Sequence, residues 1–456
     1  ARAQVEEVLA AAETLGYEPL RIEAVAALGV MLEQAGDFAE SEARLREGLW
    51  AALRVGHDAV AARAAIQLVS VVGDRLARYD EGLMWAEQAA ALLDRVGEEG
   101  LPRASLLNNL GNVWHRKGDN EQALSYYQRT IALREQLEGA DGPNLANERI
   151  NLGNAQLALG QHDAALASYR EAEVGLRGAL GEGHPQIAMA VASIGLVYSA
   201  TGRYSEALAQ QRRALPDFEA WLGPDHLFVA TTILNIGEAL RELGELAEAE
   251  QQLRRAQQLF EKSLGPEHPQ VAACLYGLGE IRAVQRRLDE AQRLHQRALE
   301  LRGKRYPADH EDVVVSRLAL ASLQRQQGDA TGAVTSAEAL ATVGEQADLD
   351  PALRGRIHLE LARARWEAGQ ERARVRADLE RARVFLREAG VGGEDTLREL
   401  EAFAARQSDV SNCVSVSMLS PVASDKSAKR QSRRARAARQ ASGVSSAWMS
   451  SAIVTP

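Results

Sequence analysis

Four histidines stand at a fixed interval: His184, His226, His268 and His310, each 42 residues after the last. Imidazoles at a regular spacing make a metal site only if the rings converge, and zinc needs its ligands about 2 Å from one ion. Each of these rings lies in a different linker between helical segments. Packed helices stand roughly 8–10 Å apart, so no metal is expected and the histidines are assigned a structural role at helix starts. A second set is amide-bearing. Asn109 with Asn112, and Asn151 with Asn154, are spaced i, i+3, and Asn235 repeats the Asn109 position. Residues three apart share one helix face, and a primary amide both donates and accepts. Arg116, Glu238 and Arg241 fall on the same face. Such a row either holds a bound backbone or bridges neighbouring helices.

Motifs for covalent or phosphoryl chemistry are missing. The chain holds no G-x-x-x-x-G-K-[ST], no H-E-x-x-H, no G-x-S-x-G and no His-Arg-Asp with Asp-Phe-Gly; Asp37-Phe38 is followed by Ala39. The expectation is a non-enzyme with no cofactor and no small-molecule substrate. Trp50, Trp85, Trp114, Trp221 and Trp366 are scattered and assigned mainly to core packing, so nucleic acid is not an expected partner. Only Cys274 and Cys413 occur, far apart, which fits a reducing, cytoplasmic setting better than a disulfide framework. No apolar run approaches the roughly 20 residues of a membrane span. The chain opens at Ala1 inside helical pattern, which reads as a fragment or a processed product.

The elements that position these residues recur. A small residue follows a hydrophobic one at Gly29, Ser70, Gly111, Gly153, Gly195, Gly237, Gly279, Ala321 and Ala362, in steps of 41 or 42 residues. Nine copies at one period mean stacked repeats, and such arrays escape the usual scaling of domain number with length. In each unit a first helix carries apolar residues at i, i+4, i+7 and i+11. Ile187, Val191, Ile194 and Tyr198 are one such stripe; Val229, Ile233, Ile236 and Leu240 are the next. A Gly-containing turn follows, then a second helix that ends at Leu-Gly before an acidic or Pro-containing linker. Glycine inside a helix costs roughly 1 kcal/mol against alanine, so the marker glycines imply close approach of the partner helix. Ala123, Ala165, Ala207, Ala249 and Ala291, twelve residues on, are expected to face them.

Leu110-Gly111, Trp114, Gly118, Ala123 and Tyr127 resemble the tetratricopeptide repeat signature, as do Ile194-Gly195, Tyr198, Gly202, Tyr204 and Ala207. The ordinary repeat has about 34 residues. The longer period here, with the linker Gly265 to Ala272, is similar to kinesin light chains and to large bacterial signalling proteins. The resemblance covers about residues 20–390, with departures at Ser70, Gly82, Ala321 and the eroded ninth unit. It implies an all-α α-solenoid, a superhelix of about nine antiparallel helix pairs. It also implies that Asn109, Asn112, Arg116, Asn151, Asn154, Asn235, Glu238 and Arg241 line a concave groove for a peptide or protein surface. Residues 1–95 additionally resemble the repeat region that follows the catalytic domain in some bacterial serine/threonine kinases. The alternative function is therefore a sensor or docking arm of such a kinase, with its catalytic domain outside this chain.

The end of the chain differs in kind. From Ser408 it has thirteen Ser in 49 residues and seven Lys/Arg against Asp409 and Asp425. It has no apolar periodicity, so 1–405 is expected to be solenoid and 406–456 a disordered tail. With the chain at −10 overall, the tail is +5 and the body −15. An acidic body favours neutral or basic partners.

Overall fold

The computed structural model describes residues 2–139, 145–347 and 349–416. It is an all-α solenoid, with nine helical hairpins among the described residues. The described residues fall into two compact units, 2–190 and 191–416.

Unit 1 starts with α1 (Arg2–Leu15), ended at Gly16, and continues with hairpins of a first and a second helix. These are α2 (Glu18–Gln34) with α3 (Phe38–Arg54), and α4 (Asp58–Leu68) with α5 (Tyr79–Val96). Then come α6 (Leu101–Lys117) with α7 (Asn120–Glu138), and α8 (Leu145–Ala158) with α9 (His162–Leu180). Helix α10 (Pro185–Ala200) contains the residue at which the units divide. In unit 2 it is followed by α11 (Tyr204–Leu222). Three pairs come next: α12 (Leu227–Glu242) with α13 (Leu246–Leu264), α14 (Pro269–Val284) with α15 (Leu288–Gly303), and α16 (Glu311–Gln326) with α17 (Ala330–Gln346). The last pair is α18 (Pro351–Glu367) with α19 (Arg372–Glu388). A single 3₁₀ turn (Gly390–Gly393) leads into α20 (Glu394–Val416). The helix thus runs past the boundary expected at 405/406. The rest of the predicted tail, with its basic cluster, lies outside the described residues.

The predicted stripes are the core. Val229, Ile233, Ile236 and Leu240 are each 3% exposed or less, and Ile187, Val191 and Ile194 are equally buried. Each such side chain contributes roughly 1.5–3 kcal/mol on leaving water. The apolar face of one first helix therefore needs the hairpins on either side of it. First helices touch first helices of the next hairpin (α2 with α4, α4 with α6, α12 with α14, α16 with α18), and no pair of second helices comes as close. Within each unit the stack thus curves with its first helices on the inner side.

The marker glycines do mark close approach, but the side chain they admit is not the expected alanine. A Cβ on Gly111 would stand 2.5 Å from the Tyr127 ring, and one on Gly153 would stand 2.6 Å from Tyr169. On Gly237 it would meet Leu253, and on Gly279 it would meet His295. The facing residue lies sixteen positions on because antiparallel helices bring together residues equidistant from their turn. Asp119, the turn residue, is midway between Gly111 and Tyr127; the residue midway to Ala123 is Lys117, still inside α6. The alanines twelve on are nonetheless fully buried.

The atypical second hairpin also has a physical account. Beyond Leu68, α4 widens into a π-helical turn (Val69–Arg75), and the backbones of Gly73 and Gly82 meet. A Cβ on Gly82 would lie 2.4 Å from the Gly73 Cα, so the usual alanine cannot stand there. Of the tryptophans assigned to the core, Trp85 is buried and Trp114 and Trp366 are half-buried. Trp50 and Trp221 correct that assignment, being 49% and 61% exposed.

Candidate functional site

The inner face of unit 1 carries the asparagines. Tyr127 and Tyr169 lie over Gly111 and Gly153, and each hydroxyl reaches the residue after its glycine. Tyr127 donates to Asn112 Oδ1 at 2.8 Å, and Tyr169 donates to Asn154 Oδ1 at 2.7 Å. Burial pushes both phenols well above their ordinary range, so they stay protonated and keep an O–H to donate. With the oxygen so engaged, each asparagine keeps its NH₂ as a spare donor. Those two amides make no hydrogen bond among the described residues. Asn109 and Asn151 behave differently, for they bridge successive first helices. Asn109 Nδ2 donates to the Ile66 carbonyl at 3.0 Å, and Asn151 Nδ2 donates to Asn108 Oδ1 at 3.1 Å.

Arg116 continues this face and is tied down by Asp74, its Nε donating at 2.8 Å. Asp74 belongs to the π-helical turn, as does Ser70, whose hydroxyl donates to Glu33 Oε1 at 2.6 Å. Gln67 Nε2 donates to the other Glu33 oxygen at 3.1 Å. Burial raises the Glu33 carboxyl, a shift partly offset by the Ser70 hydrogen bond and by Arg75. Sequence reasoning missed Glu33, Gln67, Ser70 and Asp74 as members of the row. The available signal was Ser70 in a glycine position together with Gly82 in an alanine position.

The three predicted residues of unit 2 are not equivalent to these. Asn235 is half-buried on α12 and makes no hydrogen bond among the described residues. Arg241 is 5% exposed, with Glu242 at 2.7 Å and Glu238 at 3.6 Å. Burial would lower its pKa, but Glu242, Glu238 and Glu280 outweigh this and hold it above the usual value. Around it the inner face is a buried charge network. Arg356 hydrogen-bonds Tyr276, and His295 Nε2 stands 3.2 Å from Glu280 Oε1. Burial would raise Glu280, yet His295, Arg241 and Arg356 keep it below the ordinary carboxylate value. The structure groups Asn109, Asn112, Arg116, Asn151 and Asn154 on one face of unit 1, and Glu238 and Arg241 in the network of unit 2.

The linker histidines have the structural role expected of them. His184, His226, His268 and His310 each accept, through Nδ1, the backbone N–H two residues on, at 3.2–3.3 Å. They cap α10, α12, α14 and α16, satisfying an orphan donor at each helix start. Desolvation lowers His226 and His268, which favours the neutral ring that capping requires. Among the described residues no group of three His, Cys, Asp or Glu could hold a metal ion. No described helix is long and apolar enough to cross a membrane.

Helical hairpins stacked at a period near 42, with an inner face of first helices, define a repeat protein of the solenoid class. A family model described as tetratricopeptide repeat matches residues 102–173, 186–262 and 228–304, and a second model of that description matches 150–221. Residues 102–304 are thus tetratricopeptide repeats. No curated protein is similar to it in sequence. Its fold is similar to the apo form of the quorum sensor NprR from B. thuringiensis. That match has a TM-score of 0.58 at 15% identity, over 80% of this chain and 97% of the other. The apo form of RapI is also similar, with a TM-score of 0.51 at 12% identity, over 76% and 91%. A putative kinesin light chain from Podosopora anserina with nearly identical repeats overlaps 44% of this chain and 95% of its own, at 19% identity and a TM-score of 0.39.

Proposed function

We propose that the chain is a non-catalytic scaffold whose unit 1 binds an extended peptide, or an extended segment of a protein, along its inner face. One observation carries this reading. Asn112 and Asn154 occupy the same place in successive repeats, each with its oxygen held by a buried tyrosine and its NH₂ left without a partner. A donor at a fixed orientation on a half-buried face suits a backbone carbonyl, and repetition along the stack suits an extended chain, whose carbonyls also recur at intervals. Asn109 and Asn151 keep successive first helices in register, and Arg116 is positioned by Asp74 rather than free to roam. The acidic balance of the body favours a neutral or basic ligand. In unit 2, Asn235 would offer a comparable amide, whereas Glu238 and Arg241 are taken up by the buried charge network.

The test is a peptide array probed with the wild type and with Asn112→Ala/Asn154→Ala. The double variant is expected to lose about 1–3 kcal/mol of binding, or roughly tenfold or more. Equal binding by the two proteins would remove the asparagines from the reading.

A further inference from the structure

The last helix of unit 2 crosses the inner face of that unit instead of only closing its end. The Asp395 carboxylate at the start of α20 lies against the α10–α11 turn, where a Cβ on Gly202 would meet Oδ2 at 3.4 Å. Glu399, one turn on, pairs with Arg363 of α18 at 2.9 Å. Thr396 and Glu399 close a cavity of about 70 Å³ whose other walls come from α14, α16 and α18, among them Tyr276, Gln326 and Arg356. The start of α20 therefore meets the turn of the fifth hairpin and faces the first helices of the seventh, eighth and ninth.

Its grip is uneven. Its apolar contact is with the last hairpin alone: Leu400 and Phe403 are buried against Leu359, Leu379 and Leu386, with Leu397 and Ala404 alongside. The remainder of the contact is polar: Thr396 and Glu399 line the cavity, Glu399 pairs with Arg363, and Glu401 pairs with Arg383. Polar contacts that water can replace hold a helix less firmly than buried apolar ones. The link to α19 is Gly390-Val391-Gly392-Gly393, with Gly390 at φ +59°, a backbone that turns easily.

We propose that the inner face of unit 2 is a docking surface for an acidic amphipathic helix, that α20 is its resident occupant, and that a partner helix of like chemistry displaces it. The partner would carry Leu, Leu and Phe at i, i+3 and i+6, as Leu397, Leu400 and Phe403 do. It would carry carboxylates where Asp395 and Glu399 meet the Gly202 turn and Arg363. This rests on different residues from the asparagine row of unit 1, so either reading can fail alone.

The probe is a fluorescent synthetic peptide spanning residues 394–416, titrated into the full chain and into its Glu399→Arg variant. Repulsion from Arg363 should free α20 in the variant, and the peptide should then bind about tenfold more tightly than to the wild type, whose site is filled. Equal affinity, or no binding to either protein, overturns the proposal and leaves α20 a permanent cap. Hydrogen exchange on the wild type decides independently of how the variant folds. Amides of α20 should exchange well before those of α18 and α19, and exchange as slow as that of α19 overturns the proposal.

Discussion

In unit 1 the residue after the marker glycine is asparagine, at 112 and 154, and the residue facing that glycine is tyrosine. In unit 2 the same two positions hold Glu280 with His295, and Glu238 with Leu253. A neutral amide on a neutral phenol can sit half-buried at little cost and keep a donor to offer. A carboxylate at that depth must be compensated. Unit 2 recruits Arg241 and Arg356 to do so, and its inner face turns inward on itself. One hairpin design thus gives either a surface presenting donors or a closed electrostatic core, according to two residues per repeat.

The strongest way to break this comparison is to remove a cation from unit 2. Arg241→Met would take a buried cation away from Glu242 at 2.7 Å and Glu238 at 3.6 Å. Truncating one member of a buried pair costs about 3–5 kcal/mol. Asn112→Ala removes only the acceptor of one tyrosine hydroxyl, a loss of roughly 1 kcal/mol. Denaturant melts of the two variants test the order. A smaller loss for Arg241→Met than for Asn112→Ala would mean that the unit 2 network does not hold its inner face.

The repeat, the hairpins and the face bearing the asparagines were legible because each is local and recurs: a stripe at i, i+4, i+7 is visible within one helix. Partners were less so. The tyrosine opposite Gly111 follows from where the turn falls, and counting twelve instead of sixteen residues chose Ala123. The charge network was invisible for a deeper reason. Arg356 meets Tyr276 across eighty residues, and Asp395 meets Gly202 across nearly two hundred. Such meetings depend on how tightly the hairpins coil, which no single period encodes. Glu238 and Arg241 shared a helix face with Asn235 in the sequence, but their burial comes from distant first helices.

The glycine contacts sharpen the comparison at a smaller scale. Gly111→Ala would drive a methyl into the Tyr127 ring, which is buried and tied to Asn112, at an expected cost of about 1–3 kcal/mol. Gly195→Ala in unit 2 meets chiefly the amide end of Gln211, which can swing aside on giving up its 3.0 Å hydrogen bond to the Ala192 carbonyl, and Gln210 Cβ at 3.3 Å, which must give by a few tenths of an ångström. The gain in helix propensity, about 1 kcal/mol, should nearly cancel that loss. Melting temperatures should therefore fall clearly for the first variant and hardly move for the second.

The smallest effect is a difference in acid response within unit 2. Burial holds His226 and His268 below the usual 6.5, so the unfolded chain takes up protons before the folded one does. Their caps are intact above that value, and stability is lost as pH falls through it. Helix α16 starts differently, because burial with Asp350 and Asp312 pushes Glu311 up to about 7. Its protonated form stabilises the fold below the ordinary 4.5, and that contribution is lost as pH rises through about 7. Acidification from pH 7.5 to 5.5 therefore weakens the starts of α12 and α14 while relieving the carboxylate crowding at α16. Hydrogen exchange, corrected for intrinsic rates, should show protection falling at residues 227–230 and 269–272 but holding or rising at 311–314. In Glu311→Gln the gain at α16 should vanish while the losses at α12 and α14 remain. A uniform loss at all three helices in the wild type would show that the histidine caps and the buried glutamate do not set the response.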